Sequence, residues 1–416
     1  MKRIISTLLT LALASVAFFG GFSYINAEYL PDSVYVFEGE DFSCAKGLLT
    51  IRSNEKTVSE ASATAGGSYS GKLCLFDVIP LKTVRVSTIE RQSLVPSGRA
   101  FGVKLFTDGV VVVGFGDVTT AKKTCCPAKD SGIMLGDVIK TIDGRKISGN
   151  AELSSIVTAS DGKKLEVVLT RNGEEKTVYI TPANAKDRTG FKIGMWVRDS
   201  SAGIGTLTYI NQNTGVAAGL GHGITDSDVE IVLPVLRGEL VCVTITAVTK
   251  GQVGQPGELK GVFHNESPFA SLKINGETGV FGDIQQGSLG ADEVLCGDAI
   301  PIALKQEVTT GAAQILSTVD GKEPKYYDVE IERVNLSENT LTQNLVVKIT
   351  DEELLEKTGG IVQGMSGSPI IQQGRLVGAI THVFVSEPTK GYGIFIENML
   401  CCEGKTSSEE NNLLAA

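Results

Sequence analysis

The sequence predicts a mainly β protein, in which a short mixed module precedes a larger strand-rich domain. In the second half, apolar runs such as 231–235 and 240–245 follow one another closely and are separated by turn residues. Glycine is abundant (48 residues) and tryptophan occurs once, which suits short strands and tight turns. A sustained helical pattern in this half occurs only around Asp351–Lys357. Closely spaced strands with turn signals indicate a barrel or a sandwich.

Composition bounds the size of the protein and its partners. The chain has 416 residues, 42% of them hydrophobic, which is enough for two or three domains with real cores. The net charge of −10, with no compensating Lys/Arg cluster, argues against a nucleic-acid partner. Because the three histidines are scattered and no His-Glu-x-x-His motif occurs, neither a metal nor another cofactor is expected.

The N-terminal residues 1–27 have the pattern of an export signal. Lys2 and Arg3 precede an apolar run, and no further charge occurs before Glu28. The run from Ile4 to Ile25 is also long enough to span a bilayer as an anchor. We therefore expect an exported, membrane-proximal protein. The pattern does not decide whether residues 1–27 are cleaved off or stay as a membrane anchor. Residues 28–91 follow as a small β-rich region without evident chemistry.

The cysteine pattern favours free, partly buried thiols over a zinc site or a disulfide framework. No Cys-x-x-Cys spacing is present, and four of the cysteines form two pairs of sequence neighbours. The eight cysteines are Cys44, Cys74, Cys125, Cys126, Cys242, Cys296, Cys401 and Cys402.

Residues 92–183 resemble a PDZ domain. The stretch 127–144 has the short helix, Gly-Asp corner, strand and Asp-Gly turn of that fold. The entry loop 97–102 departs from the usual carboxylate-binding loop, so capture of a free C-terminus is not expected. Addition of a peptide strand beside Val103, Lys104 and Leu105 remains open, and these three residues are the predicted peptide-binding groove.

The most informative stretch is the glycine-rich loop 359–369. Its Gly-x-Ser-Gly-x-Pro spacing resembles the nucleophile loop of chymotrypsin-like serine peptidases, and on that spacing Ser366, not Ser368, is the nucleophile. Flanking glycines allow positive φ and let backbone N–H groups point at a carbonyl, so Gly364 and Ser366 are the predicted oxyanion hole.

A serine nucleophile needs a base, and His222 is the best of the three histidines. It lies between glycines at the end of an apolar strand, whereas His264 begins a polar surface stretch. His382 follows the serine, as in α/β-hydrolases, but no acid separates it from Ser366. This reasoning does not decide which acidic residue would orient the imidazole. The candidates are Asp226, Asp228, Asp283 and Asp351, of which Asp226 could cap a turn and Asp351 a helix.

The whole assembly closely resembles the stage IV sporulation protein B peptidases of endospore-forming bacteria. The likeness runs from about residue 78 onward and includes the stretches 219–226 and 358–369. It implies a PDZ domain followed by a chymotrypsin-like double β-barrel serine peptidase domain at residues 186–416. It also matches His222, Asp351 and Ser366 to the family's catalytic residues.

The resemblance further implies a biological role. Such an enzyme acts in the space between forespore and mother-cell membranes, cleaves itself, and then cleaves a membrane-bound regulator of an intramembrane metalloprotease. That metalloprotease processes a sigma-factor precursor during endospore formation. The alternative is an exported PDZ scaffold whose peptidase domain is inactive, although an inactive scaffold has no physical need of intact loops around both His222 and Ser366.

Overall fold

The computed structural model describes residues 30–44, 48–53, 67–187, 189–226, 228–337 and 339–403. The predicted export signal at 1–27 lies outside these residues. None of the helices in these ranges combines the length and apolar character that a membrane span requires.

The described elements are mostly strands, with five short helices and one 3₁₀ turn. The strands are β1 (Ser33–Phe37), β2 (Ser43–Cys44), β3 (Leu49–Ser53), β4 (Ser68–Leu75), β5 (Ile79–Ile89), β6 (Ser93–Pro96), β7 (Ala100–Phe115), β8 (Val118–Thr119), β9 (Thr124–Cys125), β10 (Val138–Ile142), β11 (Arg145–Lys146), β12 (Leu165–Arg171), β13 (Glu174–Ile180), β14 (Ala183–Asn184), β15 (Phe191–Lys192), β16 (Met195–Asn211), β17 (Val216–Gly219), β18 (Val235–Thr249), β19 (Glu258–Gly276), β20 (Gly279–Ile284), β21 (Ile300–Pro301), β22 (Gly311–Ser317), β23 (Lys325–Val334), β24 (Leu345–Ile349), β25 (Pro369–Gln372), β26 (Arg375–Val383) and β27 (Lys390–Phe395). The helices are α1 (Pro127–Asp130), α2 (Asn150–Ala159), α3 (Leu289–Val294), α4 (Glu352–Thr358) and α5 (Ile396–Glu403), and the 3₁₀ turn is Lys305–Glu307.

The N-terminal region is a five-stranded sheet in the order β1-β5-β4-β3-β2. Its apolar face packs around Leu73, Val84 and Val86, which are fully buried. β1 runs parallel to β5, while the other pairs are antiparallel.

Two six-stranded barrels follow, and they form the double-barrel fold that the sequence predicted. In barrel A, β7 pairs with β18, and the ring continues through β19, β20, β17 and β16 back to β7. Barrel B closes in the order β22-β23-β24-β27-β26-β25. One apolar cluster joins the two barrels, because Val243 and Leu259 of barrel A pack with Ile315 and Phe395 of barrel B. The barrels therefore share a core and present a common cleft.

In the sequence, the PDZ module is inserted between two strands of barrel A, β7 and β16. This corrects the predicted start of the PDZ domain at residue 92. Residues 100–107 of β7 belong to the barrel, and only its second half, through Val110 and Val111, pairs with β10 of the PDZ sheet. That sheet continues through β12 to β13, and α2 covers it with Leu153 and Val157. The apolar run of β7 is long enough to serve both units, so sequence spacing alone did not separate them.

The predicted groove at Val103, Lys104 and Leu105 is wrong, because both edges of this segment are already paired. Val103 lies opposite Gly203 of β16 on one side and Leu240 of β18 on the other. Its side chain is 2% exposed within the core of barrel A. A peptide therefore has no free backbone edge to join at this position.

All eight cysteines lie in the described ranges, and no disulfide joins any two of them. Cys44, Cys74, Cys126, Cys242 and Cys402 are buried, and the other three are partly or fully exposed.

Candidate active site

A cavity of about 460 Å³ opens between the two barrels, and it contains the predicted base and nucleophile. His222 reaches it from the segment after β17, and Ser366 from the loop before β25. Gly364, Thr381 and His382 complete the wall beside Ser366. The cleft thus brings together groups that are more than a hundred residues apart in the chain.

Barrel A holds the serine loop of barrel B in place. Thr206 of β16 donates its hydroxyl to the Gly364 carbonyl and its N–H to the Ser366 carbonyl, both at 2.8 Å. Two residues on, the Thr208 hydroxyl donates to the Gly367 carbonyl at 2.8 Å. At Gly367 the φ angle is +97°, and a Cβ would lie 1.9 Å from the Thr206 carbonyl oxygen. Only glycine fits this close approach between the barrels.

The two serines of the loop have different surroundings. The Ser366 hydroxyl lines the cavity and donates to the Thr381 carbonyl at 2.6 Å. Ser368 is fully buried, and its hydroxyl bonds to the Met365 carbonyl at 2.7 Å and to Ser317 at 3.0 Å. These contacts support the predicted register of the loop, since only Ser366 is accessible to a substrate.

The residues of the predicted oxyanion hole, Gly364 and Ser366, both line the cavity. Neighbouring N–H groups are satisfied, since Met365 donates to Val362 and Gly367 to Ile380. Within the described part of the chain, the N–H groups of Gly364 and Ser366 donate to no protein acceptor. Two unpaired donors beside a serine are what an oxyanion requires.

His222 is oriented by a backbone carbonyl. Its Nδ1 lies 2.8 Å from the Gly223 carbonyl oxygen. Because a carbonyl can only accept, Nδ1 carries the proton and Nε2 keeps the lone pair that a general base needs. Burial lowers the pKa of His222 below its usual 6.5, although the Gly223 carbonyl opposes this shift. The imidazole is therefore neutral at pH 7.

His382 stacks on His222, a contact that the sequence did not predict. Their ring centroids lie 4.6 Å apart at an interplanar angle of 35°. The His382 side chain is partly exposed at the mouth of the cavity, but the burial of the rest of the ring, followed by repulsion from His222, lowers its pKa to about 4. A neutral ring thus covers one face of the base. Its position on the strand after the serine was visible in the sequence, but the contact depends on how the two barrels dock.

The predicted acid does not reach the base. Asp351 caps α4, with one carboxylate oxygen accepting from the Leu354 N–H at 2.9 Å and the other from the Asp328 N–H at 3.3 Å. No carboxylate among the described residues hydrogen-bonds to His222. Asp351 therefore acts as a helix cap, the other role that its sequence position suggested, because both of its carboxylate oxygens accept backbone N–H groups.

The other candidate acids are engaged elsewhere. Buried Asp226 and exposed Asp228 both pair with Arg198, and Asp283 pairs with Lys273. The third histidine, His264, bonds through Nε2 to the Thr244 hydroxyl at 2.7 Å, outside the cavity.

Two six-stranded barrels with a serine and a histidine in the cleft between them define a chymotrypsin-like serine endopeptidase. The model of the SpoIVB peptidase S55 family matches residues 189–400, which is half of the chain, and a PDZ domain model matches residues 101–181. The chain therefore belongs to the SpoIVB peptidase S55 family.

Other similarities are shorter or weaker. The zinc metalloprotease RasP of Oceanobacillus iheyensis is 37% identical over 60 residues, so the chain spans about a seventh (14%) of that relative. The Rv3671c protease of M. tuberculosis is 12% identical, with 50% of this chain and 76% of that chain covered at a TM-score of 0.28. The protease Anisep of Arthrobacter nicotinovorans is also 12% identical, with 52% and 90% covered at a TM-score of 0.27.

Proposed function

We propose that Ser366 is the nucleophile and His222 the general base of this serine endopeptidase. The observation that carries the proposal is that both side chains line one cavity, beside the free N–H groups of Gly364 and Ser366. The partly buried imidazole, with its lone pair on Nε2, is set to accept a proton at neutral pH.

The chemistry follows from these positions. The Ser366 hydroxyl leaves the Thr381 carbonyl, gives its proton to His222 and attacks the scissile carbonyl of a peptide. The N–H groups of Gly364 and Ser366 stabilise the oxyanion. The His222 imidazolium then returns the proton to the leaving amine, and water hydrolyses the acyl-enzyme by the same steps. With a carbonyl rather than a carboxylate at Nδ1, orientation of the ring is retained, but the imidazolium receives less stabilisation.

We further propose the biological substrates that family membership implies. The enzyme is exported to the space between forespore and mother-cell membranes, where it cleaves itself and a membrane-associated regulator. That regulator controls an intramembrane metalloprotease, and its cleavage triggers processing of a sigma-factor precursor during endospore formation. The support is the family match over residues 189–400 and the signal-like pattern at 1–27. The scaffold alternative is not retained, because the family match makes the chain a serine endopeptidase.

A direct test combines labelling with product analysis. A serine-directed fluorophosphonate probe should label the wild type and fail to label Ser366→Ala. N-terminal sequencing of both proteins after incubation should find new termini only in the wild type, which would report self-cleavage and its sequence preference together. Labelling that persists in Ser366→Ala and disappears in Ser368→Ala would overturn the assignment of the nucleophile.

A further inference from the structure

The N-terminal sheet carries an exposed apolar cluster at one end, which we call the apolar tip: Leu48, Phe76, Val78 and Ile79. These side chains are 44%, 57%, 70% and 38% exposed. They are close together, because the Phe76 N–H donates to the Leu48 carbonyl at 2.8 Å and Ile79 pairs with the residue before Phe76. Large apolar side chains grouped in this way on a surface mark a contact with an apolar partner.

The backbone conformation of the turn at the tip does not favour the residues that occupy it. Phe76 and Asp77 have φ angles of +53° and +57°, and the Val78 N–H donates to the Leu75 carbonyl, so this is a type I′ turn. Such turns favour asparagine and glycine, because a bulky side chain is strained at positive φ. An exposed phenylalanine at this position therefore needs a reason other than the turn.

The path of the chain places this tip near the predicted N-terminal anchor. The described chain enters the sheet at Leu30, whose carbonyl accepts from Lys82 at 3.1 Å. Lys82 is three residues from Ile79 along β5, or about 10 Å. The apolar run ends at Ile25, and the five residues from there to Leu30 span at most about 17 Å. An anchor in a bilayer would therefore hold the tip within reach of the same surface.

Charge at the tip is compatible with such an approach. The carboxylate in the turn, Asp77, is matched by Arg52 through two hydrogen bonds of 2.9 and 2.8 Å. Pairing reduces the cost of bringing both groups towards an apolar phase. We propose that the apolar tip inserts into the lipid bilayer beside the N-terminal segment and thereby orients the enzyme on the membrane surface.

The test places a fluorophore at the tip of the full-length chain. Trp196 is the single tryptophan and is 67% exposed, so Trp196→Phe provides a silent background. Ser366→Ala is added to that background so that self-cleavage cannot remove the N-terminal segment. Phe76→Trp and, separately, Val78→Trp are then incorporated into phosphatidylethanolamine–phosphatidylglycerol vesicles with or without brominated acyl chains. Leu289→Trp is the matched control, because Leu289 is 81% exposed on α3.

We expect brominated lipid to quench the fluorescence of Phe76→Trp and of Val78→Trp at least twofold, and to leave that of Leu289→Trp unchanged. Circular dichroism of each variant checks folding, and Val78→Trp keeps the test valid if Phe76→Trp disturbs the turn. Absence of quenching at both tip positions would overturn the proposal. Equal quenching at the tip and at the control would also overturn it, since that result means non-specific adsorption. Neither result depends on proteolysis, so the outcome is separate from that of the proposed function.

Discussion

The two barrels differ in how their strands are distributed along the chain. Barrel B takes its six strands from one continuous stretch, 311–395. Barrel A takes its strands from 100–107 and from 199–284, with the PDZ module between them. Barrel B supplies Ser366 and both free N–H groups, whereas barrel A supplies His222. The nucleophile and its two N–H donors thus lie within one short loop of the sequence, whereas the base comes from the other barrel.

The comparison identifies the contact between the barrels as the critical feature of the site. Thr206 and Thr208 of barrel A hold the serine loop of barrel B, and His382 of barrel B stacks on His222 of barrel A. Neither barrel therefore has a complete site by itself.

Replacing the catalytic residue of either barrel should have the largest effect on activity. We expect Ser366→Ala and His222→Ala each to lower kcat/KM on a short peptide by about four to six orders of magnitude, with intact circular dichroism. The double variant should be little worse, because the two groups act as a unit. The matched control is Ser368→Ala, which removes a buried hydrogen bond and should cost only about 1 kcal/mol of stability. Additive losses in the double variant would contradict the pairing.

Acidification should reduce activity through the base of barrel A. Because burial lowers the pKa of His222, the rise of kcat/KM with pH should have its midpoint below 6.5. On the acid side of the midpoint, the neutral fraction changes about tenfold per pH unit. His382→Ala uncovers one face of the His222 ring and should move the midpoint upward. A pH profile of the wild type centred above 6.5 would show that the base is not this partly buried imidazole.

The same histidines make stability depend on pH. Both have a folded pKa below the unfolded value near 6.5, so the unfolded state binds more protons in the interval between the two values. Stability should therefore fall as pH drops from about 6.5 towards 4. Urea unfolding of wild type and His382→Phe across this range would measure the effect, and the variant should show the shallower decline.

Weakening the contact between the barrels should have an intermediate effect on rate. Thr206→Val keeps the shape of a fully buried side chain but leaves the Gly364 carbonyl without its hydroxyl donor. We expect a loss of about 1–3 kcal/mol in unfolding free energy and about a tenfold fall in kcat. Thr246→Val is the control, since that threonine is exposed on β18. Equal effects in both variants would show that the contact between the barrels is not the cause of the loss.

The smallest effect is expected at the helix cap within barrel B. Asp351→Ala should lower the unfolding free energy by about 1 kcal/mol, whereas Asp351→Asn should retain most of the cap. Capping alone predicts that turnover in Asp351→Asn stays close to that of the wild type. A fall of several orders of magnitude would instead show that the carboxylate moves to His222 during catalysis.

The sequence predicted what local chemistry determines. Strand and turn patterns, which act within a few residues, predicted a mainly β protein with a barrel or a sandwich. The double barrel, the PDZ domain and the choice of Ser366 over Ser368 came from resemblance to known families. The stacking of His382 on His222 was not predictable, because it depends on the docking of two barrels. The same limit applies to residues 100–107 of β7, whose partners on β16 lie 94 to 106 positions away and whose partners on β18 lie 128 to 141 positions away. The assignment of Asp351 came from resemblance, and the residue's local role as a cap is the one that the structure shows.

The insertion of the PDZ module into barrel A has a consequence for cooperativity. Phe106 of β7 lies opposite Ser200 of β16, so the module occupies the position of a hairpin loop between neighbouring strands. While it is folded, its own two ends are held side by side. If it unfolded, the strands would be joined by a flexible connection of about 90 residues, and closing it would cost about 3 kcal/mol more than a two-residue turn. Melting of the module would therefore lower the stability of the barrel that carries His222, even though none of the module's described residues lines the cavity that contains this base.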